Sequence, residues 1–330
     1  MSMLKGLFND WFLRSMLLAV IIASFFPGLG KSGGLLHIDS FVDYGIAIVF
    51  FLHGLGIPRE QIRSGFSQWR LHLLVQAFTF GVFPLLFLLM SPGLERLLPP
   101  MLLLGFFYLC ALPSTITSSV ALTGVAGGNV PAAIFNATLS SLLGIFLTPL
   151  LVSLMAPTSS AGLPLREAIA DIASLLLLPF VLGQLLHGPL WPRLAPYKRY
   201  ISLLDRGVIL LLVFASFSDS VDAGLWRDYG ASLLLLTLAG TALLLAVVLL
   251  LSTGAARLLG LAREEEIVAV FCGSKKTLAA GVPMAKVLFG AHPGLGLIVL
   301  PIMFYHQLQL MVCAALAQRY ASRGADERPD

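Results

Sequence analysis

From Ala231 to Leu251 the chain reads A-S-L-L-L-L-T-L-A-G-T-A-L-L-L-A-V-V-L-L-L, twenty-one residues without a charge. A helix needs about 20 mostly apolar residues to cross a bilayer, and runs of this kind recur along all 330 residues. Hydrophobic residues make up 58% of the sequence, charged residues 12%, and the mean hydropathy is +0.91, values that a water-soluble domain could not cover with polar surface. The chain reads as an all-α polytopic membrane protein. Its 31 glycines and 19 prolines fall among the apolar runs and predict broken or kinked helices. Broken backbone at membrane depth is tolerated where it lines a cavity, which favours a transporter or channel over a passive anchor.

Ten candidate spans follow, at 12–29, 42–58, 70–91, 97–126, 129–156, 166–187, 201–220, 230–256, 264–289 and 294–319. The first is read as a retained helix, because no small-residue cleavage site directly follows its apolar stretch. Cys110, Cys272 and Cys313 lie in apolar segments and are odd in number, so no disulfide framework is expected. The sequence pI near 9.1 reports topology rather than nucleic-acid binding, since the basic residues sit in loops. With the N-terminus in the cytoplasm, fourteen basic residues fall inside: Lys5, Arg14, Arg59, Arg63, Arg70, Arg193, Lys198, Arg199, Arg206, Arg257, Arg263, Arg319, Arg323 and Arg328. Five fall outside: Lys31, Arg96, Arg166, Arg227 and Lys286. This bias predicts cytoplasmic termini in an inner, plasma-membrane protein.

The spans divide at the polar loop A-P-T-S-S-A-G-L-P-L (156–165) into two sets of five, 1–156 and 166–320. Five is odd, so the second set enters the membrane in the opposite sense, the arithmetic of an inverted-topology repeat. The fourth member of each set is interrupted: span 4 contains C-A-L-P-S-T-I-T-S-S-V-A-L-T-G and span 9 contains C-G-S-K-K-T-L-A-A-G-V-P. Paired interruptions at matching positions point to a midplane binding site. The plainer reading is that Pro113 and Gly273 only kink ordinary helices.

Lys275 and Lys276 stand inside span 9, where a charge costs at least about 2.5 to 3.5 kcal/mol. Such an ammonium can take the place of a bound cation, or release and regain a proton during a cycle. It can also pair with a carboxylate or phosphate of a substrate beside a half-helix N-terminus. More plainly, one of the two can snorkel or pair with an acid. Around them the two breaks offer Ser114, Thr115, Thr117, Ser118, Ser119, Ser274 and Thr277, and span 5 adds Asn129, Asn136, Thr138, Ser140 and Ser141. Neutral oxygens of this kind suit Na⁺ or substrate hydroxyls, and equally serve as packing residues at helix contacts.

The segment from Pro113 through Gly128-Asn129 to Leu147-Thr148-Pro149 resembles helices 4 and 5 of the bile acid:sodium symporter superfamily. The string F-C-G-S-K-K-T-L-A-A-G-V-P-M-A, starting at Phe271, resembles that superfamily's SBF-like branch. The resemblance implies two five-helix inverted repeats, with broken helices 4 and 9 crossing in a core of helices 3, 4, 5, 8, 9 and 10. It implies a panel of helices 1, 2, 6 and 7, alternating access, and sodium symport. The family's sodium ligands on helix 4 map nearest Ser118-Ser119, where the amide is missing, and those of helix 5 map on Ala133 and Ala137. The glutamate of helix 9 maps near Phe271, the Gln-Asn after it on Lys275-Lys276, and a helix 3 glutamine corresponds to Gln76, displaced by about one turn. A retained Na⁺ would fall at Ser118, Ser119 and Asn136.

Tyr305, His306, Gln307 and Gln309 cluster in the middle of span 10 and are expected near span 9, with His306 and Gln307 as site candidates. Asp171, Asp205, Asp219 and Asp222 lie near span ends, and Glu264, Glu265 and Glu266 suit the start of a helix. An enzyme with a Ser274-Lys275 nucleophile pair is the rival from another class, and it is disfavoured because adjacent helical residues point about 100° apart. The expected protein is not an enzyme. It is a secondary active transporter of a small organic, anionic solute, surrounded by lipid, with no resident cofactor beyond Na⁺ or H⁺ as coupling ion. The alternatives are proton-coupled or sodium-independent transport with Lys275 and Lys276 replacing sodium, and a regulatory membrane protein affecting ion homeostasis.

Overall fold

The computed structural model describes residues 11–31, 34, 38–56, 68–155, 165–222, 224, 231–290 and 294–326. The dividing loop at 156–164, and Lys5, Arg59, Arg63, Arg227 and Arg328 of the charge count, lie outside the described residues. Regular structure among the described residues is helical: α1 (Trp11–Phe25), α2 (Ile38–Gly56), α3 (Trp69–Leu94), α4 (Pro100–Ala111), α5 (Thr117–Val125) and α6 (Val130–Met155). There follow α7 (165–185), α8 (Lys198–Asp222), α9 (Ala231–Leu258), α10 (Arg263–Gly273), α11 (Leu278–Phe289) and α12 (Leu295–Asp326). Among the described residues six helical stretches are long and apolar enough to cross a membrane, and four shorter apolar helices accompany them. Their large exposed side chains, such as Phe25, Leu89, Leu154 and Leu250, are what lipid-facing surfaces require.

Contacts divide the chain into two compact units. The first comprises 1–57, 156–234 and 279–300; the second comprises 58–155, 235–278 and 301–330. The first unit thus holds α1, α2, α7 and α8, and also takes α11 from Ala279 onward and the opening residues of α12. Within it α2 and α7 touch backbone to backbone: a Cβ at Gly54 would meet the Phe180 main chain, and one at Gly183 would meet that of Phe51. The Gln184 amide donates to the Gly54 carbonyl, and the His187 ring meets the Leu55 carbonyl at 2.7 Å. The His53 ring nitrogen lies 3.7 Å from the Asp205 carboxylate, and Lys31 pairs with Asp222 at 3.1 Å, near opposite ends of α8.

In the second unit the sequence itself interrupts α3. A π-helical stretch covers Phe78–Val82, and the Phe83 N–H returns to the Phe78 carbonyl rather than to that of Thr79. The π partner of Thr79 would be the N–H of residue 84, which is proline and has none. The Thr79 carbonyl is therefore left without a donor from its own helix. The first unit repeats the pattern at Ala173–Leu177, followed by Leu178-Pro179.

Candidate functional site

Both predicted interruptions are breaks rather than kinks, and they meet inside the second unit. α4 ends because Leu112 precedes Pro113: proline disfavours helical torsions in the residue before it, and Leu112 is extended at φ −70°, ψ 152°. Four carbonyls then lack helical donors, and each finds another. Cys110 and Leu112 accept from Lys276 Nζ, Ala111 accepts from Thr148 Oγ1 at 2.8 Å, and Pro113 accepts from the Thr277 N–H at 3.1 Å. The Ser114 N–H, which would have closed the last turn onto Cys110, is held instead by Ser140 Oγ at 2.9 Å.

The break between α10 and α11 contains no proline; side chains from other helices hold it open. The Ser114 and Ser119 hydroxyls donate to the Cys272 and Phe271 carbonyls at 2.7 and 3.2 Å. Tyr305 donates to the Ser274 carbonyl at 2.6 Å. Gln309 clamps the Lys276 main chain, its oxygen accepting from the N–H and its nitrogen donating to the carbonyl, both at 2.8 Å. Each break thus supplies donors for the carbonyls the other has freed. This meets the membrane requirement that backbone polar groups be satisfied internally.

The two lysines differ although they are neighbours. Both are fully buried, and among the described residues neither forms an ion pair with a carboxylate. Lys276 Nζ donates to the carbonyls of Thr79, Cys110 and Leu112 at 2.7, 2.8 and 2.7 Å, and it lies 4.0 Å from the centre of the Phe83 ring. An ammonium has three N–H donors, and all three are used. The Cys110 and Leu112 carbonyls also form the negative end of the α4 dipole, a favourable place for a cation. Lys275 Nζ donates to one carbonyl, that of Ser118, at 2.8 Å, with the Phe271 ring 5.5 Å away.

The site candidates fall into four groups. Ser114, Ser118, Ser119, Ser140, Ser274, Lys275, Lys276 and Thr277 come together at the crossing through the bonds just described, and Ser274 Oγ turns back to its own helix at Val270. Thr115 is buried beside them, with Ser118 Oγ at 3.5 Å. Gln76 and Asn136 form a neighbouring pair, Gln76 Nε2 donating to the Asn136 carbonyl at 3.1 Å, while Gln76 Oε1 and Asn136 Oδ1 are buried without a hydrogen-bond partner. Asn129 lies away from the crossing, at the start of α6, where its side-chain oxygen accepts from the Ala132 N–H at 3.0 Å as a helix cap. On α12, His306 Nδ1 is 3.0 Å from Gln309 Nε2, and Gln307 Nε2 is buried without a hydrogen bond.

Several groups at the junction carry little signal in the sequence. Gln309 and Tyr305 belong to the predicted polar cluster, yet only spacing on α12 separates them from His306 and Gln307. Phe83 and the main-chain carbonyls of Thr79, Cys110 and Leu112 carry no sequence signal as acceptors, and the Thr79 hydroxyl itself turns back to the Val75 carbonyl. The clue on α3 is Pro84, and Thr79 lies three residues, about one turn, beyond Gln76.

Apolar spanning helices, two of them broken and tied together by buried polar groups, define a membrane transport protein. A family model, the SBF-like CPA transporter family, matches residues 10–322. The chain belongs to that family and is a transporter, not an enzyme. It is 47% identical over 320 residues to the uncharacterized protein PA2026 of Pseudomonas aeruginosa, covering 96% of this chain and 94% of that one. It is 44% identical over 311 residues to the Escherichia coli K12 protein named "Putative symporter YfeH", covering 94% and 92%. It is 29% identical over 319 residues to sodium/bile acid cotransporter 7 of Rattus norvegicus, covering 96% and 94%.

Proposed function

We propose that the chain is a secondary transporter of a small organic anion, working by alternating access, in which lysine charge takes the part of a coupling cation. One observation carries this reading: two buried ammonium groups stand at the helix crossing, and among the described residues no carboxylate balances them. Lysines placed at a site of broken helices favour a substrate that brings negative charge. The two-repeat arrangement, the division into panel and core spans, and an inner-membrane location with both termini in the cytoplasm are parts of the same reading.

The test is uptake of organic anions, cholate among them, by proteoliposomes with Na⁺ replaced by choline at fixed pH. The expected result is flux that persists without Na⁺ and is lost in Lys275→Ala and Lys276→Ala proteins that still insert. Flux abolished by choline replacement would refute sodium independence. A reporter fused after Asp330 is expected in the cytoplasm.

Sodium symport is the second reading. The partnerless oxygens Gln76 Oε1 and Asn136 Oδ1 favour it, being neutral ligands of the type a sodium ion takes, as do the names of the symporter and cotransporter relatives. Ser118 and Ser119 would complete such a site. Choline replacement separates the two readings directly.

A further inference from the structure

The geometry points to a tethered cation: the carbonyls of Thr79, Cys110 and Leu112, with the Phe83 ring, form a monovalent-cation site that the chain fills with its own Lys276 ammonium. When that side chain is cut back, the site takes a primary alkylammonium ion. The consequence for transport rests on the reading above, but the site itself rests only on the geometry of the crossing.

Each acceptor is freed by its own segment, independently of the lysine. Thr79 loses its α partner because the Phe83 N–H goes to Phe78, and its π partner would be Pro84. Leu112 is held extended by Pro113, and the Ser114 N–H that would reach Cys110 is bound by Ser140. Backbone thus builds the cradle, and the ammonium fills it. Acceptors at 2.7 to 2.8 Å match three N–H donors one for one, and the ring covers a further side at 4.0 Å.

The floor of the site is also held without the lysine side chain. Gln309 binds both the N–H and the carbonyl of Lys276, and the next residue's N–H is fixed on Pro113. Truncation to alanine therefore leaves the main chain anchored and removes a propylamine's worth of atoms. The matching ligand is n-propylammonium: three N–H donors on a short apolar stem. Choline is also a cation, but its nitrogen carries three methyl groups and no N–H, so its charged centre cannot donate to the three carbonyls.

The experiment is thermal unfolding of the purified full-length protein in detergent, with n-propylammonium, sodium or choline chloride at equal ionic strength. Lys276→Ala should unfold below the wild type, and propylammonium should raise its midpoint by about 2 °C or more over choline. The wild type, whose cradle holds its own ammonium, and Lys276→Met, whose side chain occupies the path of the lysine stem and leaves no room for propylammonium, should show no difference between the salts. Equal shifts from propylammonium and choline in Lys276→Ala, or the same propylammonium shift in the wild type, would overturn the proposal. A sodium shift as large as that of propylammonium would overturn the alkylammonium assignment. If Lys276→Ala does not fold, Lys276→Met decides: it should unfold well below both the wild type and Lys275→Met, and a midpoint equal to the wild type refutes the cradle. Sodium-dependent flux in the wild type would remove the transport reading while leaving these thermal results in force.

Discussion

The break after α4 and the break after α10 reach the same end by different means. The first is local: Pro113 forces Leu112 out of the helix, so the interruption would form in any surroundings. The second has no such residue; Gly273 weakens the helix, but Tyr305 and Gln309 on α12 hold the freed backbone. A locally encoded break tolerates loss of its partners, whereas a break held by tertiary contacts depends on them. The same contrast separates the lysines, since Lys276 is fixed by three carbonyls and Lys275 by one.

The largest effect is expected where both contrasts coincide. Lys276→Met should cost about 3 kcal/mol, because three buried carbonyls lose their donor at once; denaturation in mild detergent would read it, and a loss below about 1 kcal/mol would erase the distinction between the lysines. Gln309→Leu should cost about 2 kcal/mol by stranding the Lys276 N–H and carbonyl, with faster hydrogen exchange at 274–277 than at 112–116. No rise at 274–277 would mean that the second break is as locally encoded as the first, and an equal rise in both would mean that the first also depends on tertiary contacts. Ser114→Ala removes one donor to Cys272 and should cost about 1 kcal/mol.

Lys275→Met should leave stability within about 1 kcal/mol of the wild type, since it deletes a buried charge with one hydrogen bond, while anion flux falls at least tenfold. Unchanged flux in that variant would confine the functional charge to Lys276. Arg257→Ala serves as the small reference. Its exposed pairing with Glu266 at 3.1 Å should contribute no more than about 0.5 kcal/mol, and Tyr320 still donates to Glu266 at 2.8 Å.

Much of the architecture was legible because hydrocarbon imposes strict rules. Apolar run length marked the helices, and the small polar interruptions with Pro113 and Gly273 located both breaks. The aspartates near span ends found partners that their position alone did not name: Asp222 meets Lys31, and Asp205 meets His53. Harder to read were residues whose role depends on rotation about a helix axis. Asn129 and Asn136 lie two turns apart on the same helix, yet one caps its end and the other pairs with Gln76.

The sequence by itself determined that this chain spans a membrane, where its helices lie, that two of them are interrupted, and that two lysines stand at one interruption. Hydropathy, proline and charge cost act on neighbouring residues, so they can be read along the chain. Only the tertiary structure decided what the lysines meet. The acceptors of Lys276 are backbone carbonyls on two other helices, freed by a π-helical turn and a proline. Pro84 and Pro113 mark where carbonyls are freed, but every residue has a carbonyl, and which donor reaches these three is a property of the folded backbone.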